Sequence, residues 1–344
     1  MDIKTFIYEQ PRIIDNVFQT IPATLPQIAP ADTIYLVGSG TSLNALCAVL
    51  PLMNGLLESR IWISGPLAFM TAPIKTPGAD CLVIILSQSG ASTTTIAAVE
   101  HARQCGMRTL TITAEKQSPI TKVADEMLVI PVGPENVGPK TKGYTASVLS
   151  LLFVVLAIAG RNLQAPGFSG ELAHLIEQCD PVIGDLAAAR ARTDFVMVLG
   201  QERHISTALE GSLKVSEMSG IAAAAFDTEE AFHGRFHGLS PASLALFVTA
   251  TTAQFDMALT GARVLSDLGV GVRILNLNAA SSSTYDLDLP WPHTDPLPEL
   301  DLISAIVPFQ LLAWHLAQQK GVVPEKMRYP NLSQKLQIKT SGVV

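Results

Sequence analysis

The stretch Leu82-Val83-Ile84-Ile85-Leu86-Ser87-Gln88-Ser89-Gly90-Ala91-Ser92 decides the reading of this chain. Its five apolar residues read as a strand buried on both faces, as in a parallel sheet. The hydroxyl-rich turn behind them opens a helical pattern at 92–105. A helix start leaves backbone N–H groups unpaired and carries a partial positive charge. Glycine lets a ligand approach the backbone, and hydroxyls add donors. A second turn of this kind, Gly38-Ser39-Gly40-Thr41-Ser42, follows Ile34-Tyr35-Leu36-Val37. Ser and Thr also serve as plain helix caps, but two such turns at strand ends in one sheet make a pocket for a small phosphate monoester. They nominate Gly40, Thr41, Ser42, Ser87, Gln88, Ser89 and Ser92 as its ligands. Neither is a nucleotide fingerprint. Gly38-Ser39-Gly40 lacks the third glycine of a dinucleotide loop, and no Gly-Lys-Ser/Thr occurs.

Working outward, apolar runs at 34–38, 60–64, 82–86, 108–112 and 127–131 alternate with helical patterns at 41–53, 92–105 and 144–160. Strands alternating with helices predict an α/β fold, a parallel sheet covered on both faces. A weaker copy follows: Phe195-Val196-Met197-Val198-Leu199-Gly200, a helix at 203–219, runs at 244–249 and 272–277, and a helix at 300–319. The expected organisation is a segment 1–24, a domain 25–165, a partly helical linker 166–189, a domain 190–325 and a tail 326–344. The second half has no Ser-x-Ser-Gly: Ala250-Thr251-Thr252 follows Leu244–Thr249. Phosphate is therefore expected in the first domain alone.

The 344 residues suffice for two domains. With 48% hydrophobic and only 15% charged residues, a partner is expected to cover apolar surface, which predicts a homodimer or higher homo-oligomer. A net charge of −7 without basic clusters argues against nucleic acid. Met1-Asp2-Ile3-Lys4 does not open a signal peptide. The apolar stretch 145–160 is short for a membrane span and lies close to Lys140 and Lys142, so a buried helix is expected. Cys47, Cys81, Cys105 and Cys179 show no pairing or metal spacing, which suits reduced thiols in the cytoplasm. His233 and His237 are four apart but lack a third ligand. No metal or cofactor is expected.

Glu210, Lys214 and Glu217 stand at i, i+4 and i+7, on one helix face. The flanking Ala208, Leu209, Leu213, Val215 and Met218 make the helix largely apolar, so this charged stripe is expected to face a cavity. Asp227, Glu229 and Glu230 precede His233. They suit either a cationic amine or a helix N-terminus.

Together these residues resemble the sugar isomerase (SIS) family, and most closely tandem-SIS proteins similar to the isomerase half of glucosamine-6-phosphate synthase. The likeness runs from Ile7-Tyr8-Glu9-Gln10-Pro11 through Gly40-Thr41-Ser42, Ser87-Gln88-Ser89-Gly90 and Glu135 with Thr141-Lys142. It continues in Ala208-Leu209-Glu210-Gly211-Ser212-Leu213-Lys214-Val215-Ser216-Glu217, His233-Gly234 and Asn331-Leu332-Ser333. It implies two tandem SIS domains, each a flavodoxin-like three-layer αβα sandwich. It gives proton transfer to Glu217 and ring opening to His233. It adds Gly138, Lys214 and Glu230 to the substrate-binding set, and it implies a histidine shared between subunits. The synthase half also uses a C-terminal lysine for a Schiff base. Here Gln334 falls at that position and Lys335 one residue later. Arg235 stands where the family usually has proline.

With no glutamine-hydrolysing domain ahead of Met1 in this sequence, the stand-alone branch is the expectation. The function expected is a deglycase or deaminase that releases an amine from a hexose-6-phosphate adduct of the fructoselysine or glucoselysine type. Glucosamine-6-phosphate deamination or another aldose–ketose isomerisation is the alternative, and a non-catalytic phosphosugar-binding regulator is a third.

Overall fold

The computed structural model describes residues 2–74, 77–329 and 331–340. Among them nine strands form two parallel sheets, and the chain divides into two compact units. The first-sheet unit comprises 12–135, 142–164 and 329–344; the second-sheet unit comprises 1–11, 136–141 and 165–328.

The first-sheet unit holds β1 (Thr33–Val37), β2 (Arg60–Ser64), β3 (Cys81–Leu86), β4 (Arg108–Thr113) and β5 (Glu126–Val129), in the order β2-β1-β3-β4-β5. Val37 lies beside Ser64 on one side and Ile85 on the other. Every residue of β3 is buried, as an unbroken apolar run requires. From β1 the chain crosses to β2, whereas from β3 it crosses the other way, to β4. The turns after β1 and β3 therefore part at the topological switch point, where open α/β sheets leave a crevice at the carboxyl ends of their strands. Residues 38–42 and 87–92 are those two turns.

The helix expected at 144–160 runs Lys142–Ile158 and packs on helix Thr41–Leu56. It is buried from Lys142 through Leu156.

The second-sheet unit holds β6 (Phe195–Gly200), β7 (Ala222–Asp227), β8 (Ser243–Thr249) and β9 (Gly271–Asn276), in the order β7-β6-β8-β9. This repeats the first four strands of the other sheet. Strand β7 was not foreseen. Its Ala222-Ala223-Ala224-Ala225 run has poor strand propensity, and pairing to β6 imposes the extended form. Segment 166–189 contains a 22-residue helix, Phe168–Ala189, packed on helix Val307–Gln319. The helix expected at 300–319 is interrupted: a 3-10 turn Pro298–Leu300 and a helix Asp301–Ala305 precede Val307–Gln319, whose first turn carries Pro308. Val307–Gln319 also packs on helix His204–Ser219. The two apolar helices, Lys142–Ile158 and Val307–Gln319, thus bury their faces inside their own units.

A buried ionic cluster ties helix His204–Ser219 to Asp301. Arg203 Nε and Nη2 donate to the Asp301 carboxylate at 3.0 and 2.6 Å, and His204 Nε2 lies 3.2 Å from Oδ2. Burial alone would raise the Asp301 carboxyl; His204 and Arg203 outweigh it and hold it below the usual carboxylate range.

Two outcomes follow from these arrangements. Gly90 has φ +59°, and a Cβ there would fall on the Ser118 side chain and 2.9 Å from Ile120 Cγ2. Gly90→Ala should lower stability by about 1–3 kcal/mol, read by denaturant unfolding. Asp301→Ala leaves Arg203 without its buried partner and should cost about 3–5 kcal/mol at pH 7. Because the folded Asp301 pKa is depressed, its stabilisation is complete above the unfolded value near pH 4 and is lost as pH falls through the folded value. The deficit of the variant should therefore shrink below about pH 4 in a pH series of unfolding curves.

Candidate functional site

In the first-sheet unit, Gly40 adopts φ 56°, ψ −131°, a conformation open to glycine and strained for other residues. Its carbonyl accepts from Asn44 N–H at 3.0 Å and starts helix Thr41–Leu56. Gly90 N–H donates to the Ser87 carbonyl at 3.0 Å and closes the second turn. Among the described residues, the hydroxyls of Ser42, Ser87 and Ser89 make no hydrogen bond. The Gln88 and Ser89 N–H groups donate to no protein acceptor. The switch point therefore presents three hydroxyls and two amides in adjacent turns. Ser92 differs. It caps helix Thr93–Gln104, its Oγ accepting from Thr95 N–H at 3.4 Å and the Thr95 hydroxyl at 2.9 Å. Thr41 is half-buried at the first position of its helix.

Behind the turn, Glu135 Oε2 accepts Gly143 N–H at 3.0 Å and so satisfies an amide at the start of helix Lys142–Ile158. A Cβ on Gly143 would overlap the Gln88 amide and lie 2.8 Å from Glu135 Oε2. Gly143 thus sets the seat of Gln88. Sequence reading passed over it, although a glycine in the first turn of so apolar a helix was the available signal.

The turn after β8 is filled from within. Gln254 Oε1 accepts Ala250 N–H at 2.9 Å, and Thr251 Oγ1 accepts Gln254 N–H at 3.3 Å.

The tail is fastened to the end of the hydroxyl turn. Thr93 N–H donates to the Ile338 carbonyl at 3.2 Å, Thr340 N–H to the Ala91 carbonyl at 2.9 Å, and the Thr93 hydroxyl to the Gln337 carbonyl at 3.1 Å. Lys335 ends the short helix Leu332–Lys335 and is exposed, with no ion pair among the described residues.

In the second-sheet unit, helix His204–Ser219 brings Glu210, Lys214 and Glu217 together. Lys214 Nζ lies 3.2 Å from Glu210 Oε1 and donates to Glu217 Oε2. Glu210 and Lys214 are fully buried, while 21% of the Glu217 side chain is exposed. Burial pulls the Lys214 ammonium pKa down, but the Glu210 and Glu217 carboxylates more than offset it, and the net shift is upward. Lys214 is a fixed cation. Glu217 alone of the three reaches the surface, and its Oε1 has no partner among the described residues. A Cβ on Gly211 would sit 2.7 Å from the Phe309 ring, so this glycine lets the helices pack closely around the charges.

Asp227 caps helix Thr228–Phe232: its Oδ1 accepts Glu229 and Glu230 N–H at 2.9 and 3.3 Å. Glu229 and Glu230 are exposed in the first turn. His233 ends this helix, is exposed, and its ring has no partner among the described residues; no hydrogen bond joins it to Glu217. Arg235 Nη2 lies 3.8 Å from Glu230 Oε1, and its guanidinium stands 4.8 Å from the Phe226 ring centroid. His237 is exposed. Gly138 is exposed, and a Cβ there would meet the Met327 thioether. Among the described residues no group of three His, Cys, Asp or Glu side chains is placed to hold a metal ion.

Residues 27–157 match the SIS domain family. The chain is 29% identical over 347 aligned positions to the glutamine–fructose-6-phosphate aminotransferase (isomerizing) of Thermococcus kodakarensis, covering 94% of this chain and 56% of that protein. It thus spans about half the length of the curated relatives it matches. A candidate phosphosugar isomerase from Clostridium difficile superposes with a TM-score of 0.84 at 22% identity, over 99% of each chain. Glucosamine-6-phosphate deaminase from Thermotoga maritima superposes with a TM-score of 0.76 at 22% identity, over 96% of this chain and 98% of that one. With the fold, the two turns and the sequence match in agreement, residues 27–157 are a SIS domain, and the chain is homologous to the isomerase domain of the glutamine–fructose-6-phosphate aminotransferases.

Proposed function

We propose that this protein is an enzyme that releases an amine from a hexose-6-phosphate adduct of the fructoselysine or glucoselysine type. The observation that carries this reading is Glu217. It is the one carboxylate of a buried acid–lysine–acid triad that reaches the surface, with one oxygen uncommitted.

Phosphate recognition is assigned to the first-sheet unit. The uncommitted hydroxyls of Ser42, Ser87 and Ser89 and the free N–H groups of Gln88 and Ser89 are donors for phosphate oxygens. Proton transfer is assigned to the second-sheet unit. His233 opens the sugar ring by moving a proton from a hydroxyl to the ring oxygen, chemistry suited to imidazole near neutral pH. In the open ketose adduct, Glu217 takes a proton from C1, which carries the protonated amine, while a proton of that amine passes to the C2 carbonyl oxygen, giving an enaminol. Return of the proton to C2 leaves a C1 imine. Water adds to that imine, and the C–N bond breaks to give an aldose 6-phosphate and the free amine. Lys214 stays protonated throughout and holds the Glu217 side chain in place.

The amine is favoured over a simple isomerisation by the exposed Glu229 and Glu230 beside His233, which suit a cation. Two of the similar proteins, a glutamine–fructose-6-phosphate aminotransferase and a glucosamine-6-phosphate deaminase, also concern amino groups on hexose phosphates. Glucosamine-6-phosphate deamination is the second reading, favoured by the fold shared with the Thermotoga protein. Self-association belongs to the proposal as well, supported by Trp62 and Leu67, which are 62% and 65% exposed in the first-sheet unit.

Incubation with fructoselysine-, glucoselysine- and glucosamine-6-phosphate should release lysine from the first two. Release of ammonia from glucosamine-6-phosphate alone would select the second reading. Glu217→Gln keeps the shape of the side chain and should slow the chemical step by about 100-fold or more while sugar-phosphate affinity stays nearly unchanged. Near wild-type turnover in that variant would remove Glu217 from the mechanism.

A separate measurement addresses the handle. Inorganic phosphate should protect amides at 87–92 from hydrogen exchange and leave 250–254 unchanged, because the latter turn is occupied by Gln254 and Thr251. Protection confined to 250–254 would reverse the assignment.

A further inference from the structure

The proton transfers above make no use of the Glu230–Arg235 pair, which lies within three residues of His233. The guanidinium is seated over the Phe226 ring, 4.8 Å from its centroid, a cation–π contact that uses none of its N–H donors in a hydrogen bond. Its one acidic contact is long, 3.8 Å to Glu230 Oε1, and the two side chains are 52% and 61% exposed. A pair this open is worth little to stability. Its hydrogen-bonding capacity is almost unspent: a guanidinium has five N–H donors and a carboxylate accepts at two oxygens. Glu230 is placed by its own N–H bond to Asp227 at 3.3 Å. The loop therefore sets a positive group, seated on an aromatic ring, beside a negative one.

A ligand that complements this arrangement carries an ammonium and a carboxylate about one bond-pair apart, with apolar atoms beside them. An α-amino acid whose own α-amino and α-carboxyl groups are free has that pattern. We propose that Arg235 reads the α-carboxylate and Glu230 the α-ammonium of an amino acid joined to the sugar through its side-chain amine, with its methylenes along Phe226. This inference rests on the amine-releasing reading above and narrows it. An amino acid attached through its α-nitrogen offers no free ammonium and satisfies Arg235 alone.

The test is binding, so that it does not depend on turnover. Four uncleavable probes are made by reducing the sugar carbonyl to a 1-deoxyhexitol 6-phosphate. Their amines are lysine through Nε, 6-aminohexanoate (no ammonium), cadaverine (no carboxylate) and pentylamine (neither). Titration calorimetry with the full chain should rank lysine about tenfold tighter than pentylamine, with the other two between, as charge-assisted contacts at a half-exposed site allow. Arg235→Ala should erase the difference between lysine and cadaverine, and Glu230→Gln that between lysine and 6-aminohexanoate. Arg235→Lys, which keeps the charge, should restore part of the carboxylate preference. Four probes that bind alike to the unmutated protein, or a ranking unchanged in both charge-removing variants, would overturn the proposal. If the lysine probe is preferred but the parent ketose is not cleaved, the amine-releasing reading fails and the recognition stands.

Discussion

A parallel strand cannot be reached from its neighbour by a tight turn; the chain must cross over the sheet, usually as a helix. That constraint governs both sheets here. Crossovers from β1 and β3 leave in opposite directions, so their turns separate at the carboxyl end of the sheet. The crevice follows from topology, before any side chain is considered. Glycine at 40 and 90 then lets each turn take a positive φ, and serines at 42, 87 and 89 keep hydroxyls without a hydrogen bond among the described residues. The central strand β3 is buried along its whole length and carries only apolar residues, whereas β4 alternates threonine with apolar residues.

The second sheet keeps the strand order but not the Ser-Gln-Ser-Gly turn. Thr251 caps its helix as Ser92 does, but the turn after β8 is shorter and its Ala250 N–H is taken by the Gln254 side chain, whereas Gln88 and Ser89 N–H donate to no protein acceptor. The helix after β6 carries another kind of polarity. A lysine ammonium without solvent is tolerable only with close counter-charges, and Glu210 and Glu217 supply them. The inner carboxylate is enclosed with the lysine, and the outer one is held at the surface by it. The buried lysine thus acts as a fixed strut behind a surface carboxylate.

The paired domains, the first-sheet strands and the two hydroxyl turns were legible in the sequence because each depends on local pattern. An apolar run of five residues beside Ser-Gln-Ser-Gly has few other structural solutions, and the i, i+4, i+7 spacing of Glu210, Lys214 and Glu217 fixes a shared face on any helix. Strand β7 was not legible, since four alanines favour a helix until β6 offers them hydrogen bonds. Nor was the division of labour among serines. Ser87, Ser89 and Ser92 look equivalent in sequence, yet Ser92 is spent on a helix cap and the other two are free.

The same distinction separates the acidic residues of the loop. Sequence left Asp227, Glu229 and Glu230 between a cap and a cation site; tertiary structure assigns Asp227 to the cap and leaves Glu230 facing Arg235. It also decides that the apolar helices 142–158 and 307–319 bury their faces inside their own units, where composition alone had suggested a partner. By itself the sequence determined what each residue is able to donate, accept or bury, and the periodicity that orders those capacities along an element. Tertiary structure decided which capacities were already satisfied, because long-range hydrogen bonds and close packing join residues whose separation along the chain carries no signal.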